Sequence, residues 1–296
     1  MNTVAKLGGF ALALALVFGG AVAVGQAVGP REDATGDEGG MAHGSASHGA
    51  QPEDGGETSE FPKGLMVSQD GYTLRPAATT PPTGQSLFSF TIVGPGGTPV
   101  REYTPTHDKD LHLIVVRRDL TGFQHLHPVL GADGTWTVPL ALAEPGAYRA
   151  FADFAPKARG EDALTLGVDL FVSGDYQPKA VPAQSRTAQV GGYTVTLDGE
   201  LKPGTSSPVT LTVSRDGKPV TDLQPYLAAY GHLVALRAGD LAYLHVHPDG
   251  EPGDGKTSAG PAIKFFAEVP STGTYRLFLD FQHEGVVRTA AFTAVA

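Results

Sequence analysis

The chain has 296 residues, a formal net charge of −10, no cysteine, 39 glycines and 23 prolines. Without cysteine there are no disulfides, thiolate zinc sites or blue-copper ligand sets, so any metal must be held by nitrogen and oxygen, and the acidic balance argues against nucleic acid as a partner. The length accommodates two cores of about 100 residues each, and short runs rich in Val, Leu, Phe and Tyr between glycines and prolines predict an all-β chain.

Leu7 to Val28 carries no charge, and roughly 20 apolar residues suffice to cross a bilayer as a helix. Residues 1–29 are therefore expected to be a transmembrane anchor or a signal peptide. Lys6 before the run and acidic residues after Arg31 put the N-terminus in the cytoplasm and the body outside the cytoplasm. Ala21-Val22-Ala23 is an A-x-A-like cleavage site, so the body is either held at the cell membrane by a single pass or secreted.

Residues 30–63 are acidic and rich in Gly and Ser, with eight acids between Arg31 and Glu60. They offer little apolar surface to offset the entropy of ordering and read as a disordered linker. Met41, His43 and His48 form a local group suited to weak capture of a soft or borderline metal ion; the plainer reading is a solvated linker that contains two histidines.

Beyond the linker the chain repeats itself. "LHLIVVRRDLTGFQHLHP" (Leu111 to Pro128) parallels "GHLVALRAGDLAYLHVHP" (Gly231 to Pro248), and "GAYRAFADF" (Gly146 to Phe154) parallels "GTYRLFLDF" (Gly273 to Phe281). A period of about a hundred residues is too long for a solenoid unit and predicts two copies of one domain. The first copy offers strands at Tyr72 to Leu74, Leu87 to Val93, His112 to Val116, Phe123 to His127, Thr135 to Leu140 and Tyr148 to Phe154. The second offers Tyr193 to Leu197, Val209 to Val213, His232 to Leu236, Ala242 to His247, Ile263 to Val269 and Tyr275 to Phe281. The pattern predicts two tandem immunoglobulin-like Greek-key β-sandwiches, residues 64–175 and 186–296, joined through Ser173 to Ser185.

Residues two apart on a strand share a face, so His125 and His127 can converge on one point. A hairpin turn near Asp119 and Leu120 places His112 about opposite His127, with Cβ atoms roughly 4.5 to 5.5 Å apart. The second copy repeats the interval with His232, His245 and His247. Each triplet is expected to bind a metal ion, one per sandwich, since imidazole is a common neutral ligand. Asp153 and Asp280 occupy matching places; each either joins the ligand set or orients a ligating histidine through its free N–H. His107 and His283 lack counterparts and are expected at the surface, at most as accessory ligands. Imidazole must be neutral to ligate, so metal should leave as pH falls below roughly 6.5.

The leader, the His/Met linker and the "HLHP" sandwiches resemble exported copper-handling proteins of the broad CopC and YtkA-like type, over roughly Leu65 to Ala296. The resemblance implies copper, with zinc next by ligand chemistry, and a metal transporter or another exported protein as partner. Met66 is the only methionine after the linker, which departs from the Met-rich cuprous sites of such proteins. The His-x-His strand is also similar to the copper ligands of copper-zinc superoxide dismutase, whose bridging-histidine loop and disulfide are absent. The reading is an exported metal-binding protein for buffering, sensing or delivery. The alternatives are a non-enzymatic extracytoplasmic interaction module with structural histidines, and a His-ligated metalloenzyme with water in an open position.

Overall fold

The computed structural model describes residues 62–244 and 246–296, all within one compact unit, Thr58–Ala296. The expected anchor and the linker up to residue 61, with Met41, His43 and His48, lie outside the described residues, as does His245, while Lys63, assigned to the disordered linker, is ordered by a bridge to Tyr243. Among the described residues no helix is long and apolar enough to cross a membrane.

The first sandwich is built from β1 (Ser68–Gln69), β2 (Tyr72–Pro76), β3 (Gly84–Val93), β4 (Tyr103–Thr104), β5 (Leu111–Arg117), β6 (Gln124–Leu126), β7 (Val129–Leu130), β8 (Thr135–Leu142), β9 (Gly146–Pro156) and β10 (Leu164–Val172). One sheet runs β1-β2-β3-β8-β7 and the other β10-β9-β5-β6. That order is the immunoglobulin arrangement of a four-strand sheet against a three-strand sheet, each with one added edge strand, β1 and β6. The second sandwich repeats it with β11 (Thr187–Val190), β12 (Tyr193–Asp198), β13 (Ser206–Arg215), β14 (Lys218–Pro219), β15 (His232–Arg237), β16 (Tyr243–Leu244), β17 (Val246–Pro248), β18 (Ala262–Glu268), β19 (Thr274–His283) and β20 (Val286–Val295). Its sheets run β11-β12-β13-β18-β17 and β16-β15-β19-β20.

Strand alternation builds three cores. Leu113 and Val115 on β5 with Ala150, Ala152 and Phe154 on β9 close the first sandwich around Trp136 and Phe90. Leu233 and Ala235 on β15 with Leu277, Leu279 and Phe281 on β19 close the second around Phe265 and Phe292. The intervening residues face the other way and meet one another: Ile114, Val116 and Phe151 of the first sandwich form a third cluster with Val234, Leu236 and Phe278 of the second. The inner strands are thus covered on both faces, and β5 is buried at every position.

Matching residues cross this seam in matching ways. Phe123 stacks on Phe278 with ring centroids 4.0 Å apart and planes 5° from parallel, and Tyr243, the counterpart of Phe123, meets Phe151, the counterpart of Phe278, at 5.7 Å. The seam is an internal version of a two-fold interface, in which one patch serves both partners. Residues 63–65 strap it: Gly64 N donates to Thr165 O at 2.9 Å and Tyr243 N to Lys63 O at 2.9 Å, while the Arg149 guanidinium donates to the carbonyls of Gly64 and Leu65.

Two strand expectations change. The last strand of each sandwich, β10 and β20, is absent from the sequence reading because neither alternates cleanly. In β10 Leu164 to Gly167 are buried in succession, and β20 begins with exposed valines. The segment Phe123 to His127 is not one continuous strand: β6 ends at Leu126, and the chain crosses at His127 and Pro128 to the opposite sheet as β7, since Pro128 supplies no N–H for a ladder.

Candidate metal centre

The strand that carries a core residue at every odd position carries histidine at the even one. On β5 Leu111 and Leu113 enter the first core, which turns His112 toward the seam beside Ile114. On β15 Leu233 enters the second core, which turns His232 to the same seam from the other side. β6 pairs with β5 through Ile114↔His125, and continuing that register brings His127 beside His112. The sheet register also pairs His112 with Asp153 and His232 with Asp280.

Three of these imidazoles converge. The ligand atoms of His112, His125 and His232 all lie within 4.8 Å of one another, the only such group of three among the described residues. Ring centroids are 5.2 Å apart for His112 and His125, 4.7 Å for His125 and His232, and 5.4 Å for the stacked pair His112 and His232. The group draws two histidines from the first sandwich and one from the second, whereas the sequence reading gave each sandwich a set of its own.

Hydrogen bonds fix where the protons sit. The Thr106 carbonyl only accepts, so His112 Nε2 donates to it at 2.9 Å, and in a neutral ring Nδ1 is then a lone pair. His125 Nδ1 lies 2.8 Å from Asp280 Oδ2 across the seam, both side chains being 2–3% exposed. Thr289 donates to the other oxygen of Asp280 at 2.5 Å. A carboxylate so held takes the Nδ1–H of His125 and turns Nε2 toward His112 Nδ1, 3.0 Å away. Two lone pairs at that distance repel. The gap is satisfied by a proton shared between the rings or by a metal cation bound to both.

The remaining nitrogens point the same way. His232 Nδ1 and His127 Nε2 are buried and find no hydrogen-bond partner among the described residues, and an unpaired buried polar atom costs about 1–3 kcal/mol. The His127 ring stands 5.1 Å from His112 and 4.9 Å from His125, placing it at the margin of the triad. Nitrogens that share a zinc or copper ion at 2.0–2.1 Å are about 3.4 Å apart, so modest ring rotation closes the triad on an ion.

The electrostatics favour the ligating form. Burial, and then the neighbouring His125, push the His112 imidazole down to about 3. Burial and His125 likewise push His127 down to about 4. His232 is held well below the ordinary histidine range, first by burial and then by His125 and His112. Neutral imidazoles, ready to coordinate near neutrality, are the result.

Of the other predicted residues, Asp153, His107 and His247 line a cavity with His232, and His283 lies elsewhere in the second sandwich. Asp153 accepts from Thr165 Oγ1 at 3.0 Å, the relation that Thr289 has to Asp280, and burial pushes its carboxyl up. His247 sits on β17 opposite Phe266 and lines a cavity with His107, Asp153 and His232. His107 stands 5.4 Å from His232 and 6.0 Å from His112, ring to ring, so it edges the triad rather than open solvent. Its left-handed backbone, with φ of 49°, recurs at Leu227, with φ of 57°; the loop is repeated but its histidine is not, and a comparison of the halves discounts it for that reason. His283 is also inside, 8% exposed, bonded to Tyr193 Oη at 2.7 Å and Asp222 at 3.1 Å.

The sequence profile of the family described as Domain of unknown function (DUF8832) matches residues 67–165 and 188–296. No curated protein matches the chain. Among solved structures, the adhesin InvE of Yersinia pseudotuberculosis is similar at 10% identity and a TM-score of 0.24; the match covers 78% of this chain and 60% of that one. A chimeric titin Z1Z2 tandem matches at 15% identity over 76% of this chain and 96% of that one, with a TM-score of 0.19. Domains 5–6 of the S-layer protein SbsC match at 12% identity over 75% and 96%, with a TM-score of 0.21.

Proposed function

The chain belongs to the family described as Domain of unknown function (DUF8832), and we propose that its two sandwiches together form an extracytoplasmic, non-enzymatic metal-binding protein that holds one transition-metal ion between them. The observation that carries this reading is the pair of facing nitrogens, His112 Nδ1 and His125 Nε2, 3.0 Å apart, with a ring nitrogen of His232, whose Nδ1 is unpartnered, within 4.8 Å of them. Three imidazoles without thiolate or thioether suit Cu(II) first and Zn(II) next. Asp280 orients His125 through its Nδ1, as carboxylates do behind ligating histidines. The uncharged leader supports a site outside the cytoplasm, where buffering, sensing or delivery of the ion is the role.

The full chain, purified without an affinity tag, should retain about one equivalent of copper or zinc after desalting, by elemental analysis. The double variant His125→Ala, His232→Ala should retain far less. Equal retention by both proteins would move the ion away from the seam.

A second reading, an interaction module with structural histidines, has its own observation. Leu87 and Val129 are 70% and 71% exposed on the outer sheet of the first sandwich, with Leu87 opposite Pro139, apolar side chains that a partner surface would cover. A chain that retains no metal in the desalting experiment favours this reading.

A further inference from the structure

Two buried histidine nitrogens find no hydrogen-bond partner among the described residues, His232 Nδ1 and His127 Nε2. His232 belongs to the triad. His127 stands to the His112–His125 pair much as His232 does: its ring centroid is 5.1 Å from His112 and 4.9 Å from His125, against 5.4 and 4.7 Å for His232. A ring bound through one nitrogen at 2.0–2.1 Å has its centre about 3.2 Å from the ion, so imidazoles that share an ion have centroids about 5 Å apart. Both flanking rings meet that spacing to the central pair.

We propose that His127 is the fourth ligand, so that four imidazoles enclose the ion between the two sandwiches and leave no position for water or a substrate; the proposal rests on the metal reading of the triad. The backbone suits the role. β6 ends at Leu126 and β7 begins at Val129, so His127 lies on the crossing between the two sheets, outside the ladder that fixes His125 opposite Ile114. A turn about its side-chain torsions brings the ring onto the ion, and Nε2 gives up no hydrogen bond in doing so. The second sandwich covers it through Tyr226, whose ring lies 6.2 Å away. The other groups near the triad are less well placed. Asp280 is committed to His125 and Thr289, and Asp153 accepts from Thr165. His107 stands 5.4 Å from His232 and 6.0 Å from His112, farther than His127 stands from either ring of its pair. Sets of four protein ligands are those of structural zinc, whereas catalytic zinc keeps a position for water, and four nitrogens also suit the tetragonal preference of Cu(II). A closed set holds the ion without offering it a reactant, which fits buffering or delivery and not a metalloenzyme.

The test loads the full chain with Cu(II) and fixes the occupancy by elemental analysis. X-ray absorption and pulsed paramagnetic resonance then count the imidazoles on the ion, and the relaxation of solvent protons reports water access. The parent chain should show four imidazoles and little relaxation enhancement. His127→Ala should hold copper about tenfold or more weakly, since even an outer-sphere partner is worth that. It should show three imidazoles and exchanging water, and added imidazole should restore the fourth nitrogen. His107→Ala should match the parent. A parent chain with about one equivalent of copper, three imidazoles and exchanging water overturns the fourth ligand and leaves the metal reading standing, and that count needs no variant to fold. Four imidazoles in both the parent and His127→Ala put another ring on the ion and overturn the proposal as well. A chain that takes up no copper overturns the metal reading, and the fourth ligand with it.

Discussion

On the proposed metal reading, a proton and a metal ion compete for one gap, the 3.0 Å between His112 and His125, and Asp280 decides how well either is held. Its carboxylate fixes the His125 ring from the opposite sandwich. Asp280→Asn keeps the shape and removes the charge, so metal affinity should fall by about 10–100-fold, measured by competition with a chromophoric chelator, while the circular dichroism spectrum stays unchanged. The metal-free protein should also lose stability in acid. His112 is pushed down to about 3 and His232 well below its ordinary value, whereas in the unfolded chain both titrate near about 6.5. Between those limits the unfolded state binds more protons, so stability is complete above about 6.5 and falls as pH drops toward the folded values. The urea midpoint measured from pH 7.5 to 5 should decline, and His232→Leu should flatten the decline; an unchanged midpoint in the parent protein would show that these rings are not buried neutral.

At the scale of the elements, the two copies of one hairpin make a controlled comparison. Arg117 holds Asp119 through two guanidinium nitrogens with side chains 2% and 5% exposed, and the same pair receives the linker, as Lys179 N donates to Asp119 at 2.8 Å and Arg117 donates to Gln177 O at 3.2 Å. The counterpart, Arg237 with Asp240, is 20% and 38% exposed. Arg117→Met strands a buried carboxylate and should cost about 3–5 kcal/mol. Arg237→Met should cost about 0–1 kcal/mol, since water screens what remains; urea denaturation of both variants measures the difference. The hairpin was legible because the His112-to-His127 spacing and the turn at Leu120 dictate a register, and Ile114↔His125 is that register. The crossing at His127 and Pro128 was hidden because apolar alternation does not say which sheet a strand joins. β10 was hidden by its run of consecutive buried residues, which lacks the period-two signal.

For the whole molecule, the fold of each sandwich could be read from alternation and repeat, while their packing on one another could not, because nothing in a repeat states which faces meet. One signal was present: "LHLIVV" has no polar residue on either face except the histidine, and such a strand must be covered twice. That second cover is the seam of Ile114, Val116, Phe151, Val234, Leu236 and Phe278, and it makes the histidine triad, the candidate metal centre, a joint property of both halves. The consequence separates one shared site from two independent ones. A metal ion that ties His112 and His125 to His232 stabilises the folded chain by about 2.7 kcal/mol when free metal is a hundredfold above Kd, so scanning calorimetry should show a higher unfolding temperature with copper or zinc than with a chelator present. His232→Ala leaves every histidine of the first sandwich in place. If each sandwich held its own ion, that variant would keep a metal-dependent shift from the first; with the ion shared across the seam, the shift should largely disappear, and the chelated proteins should differ little from each other.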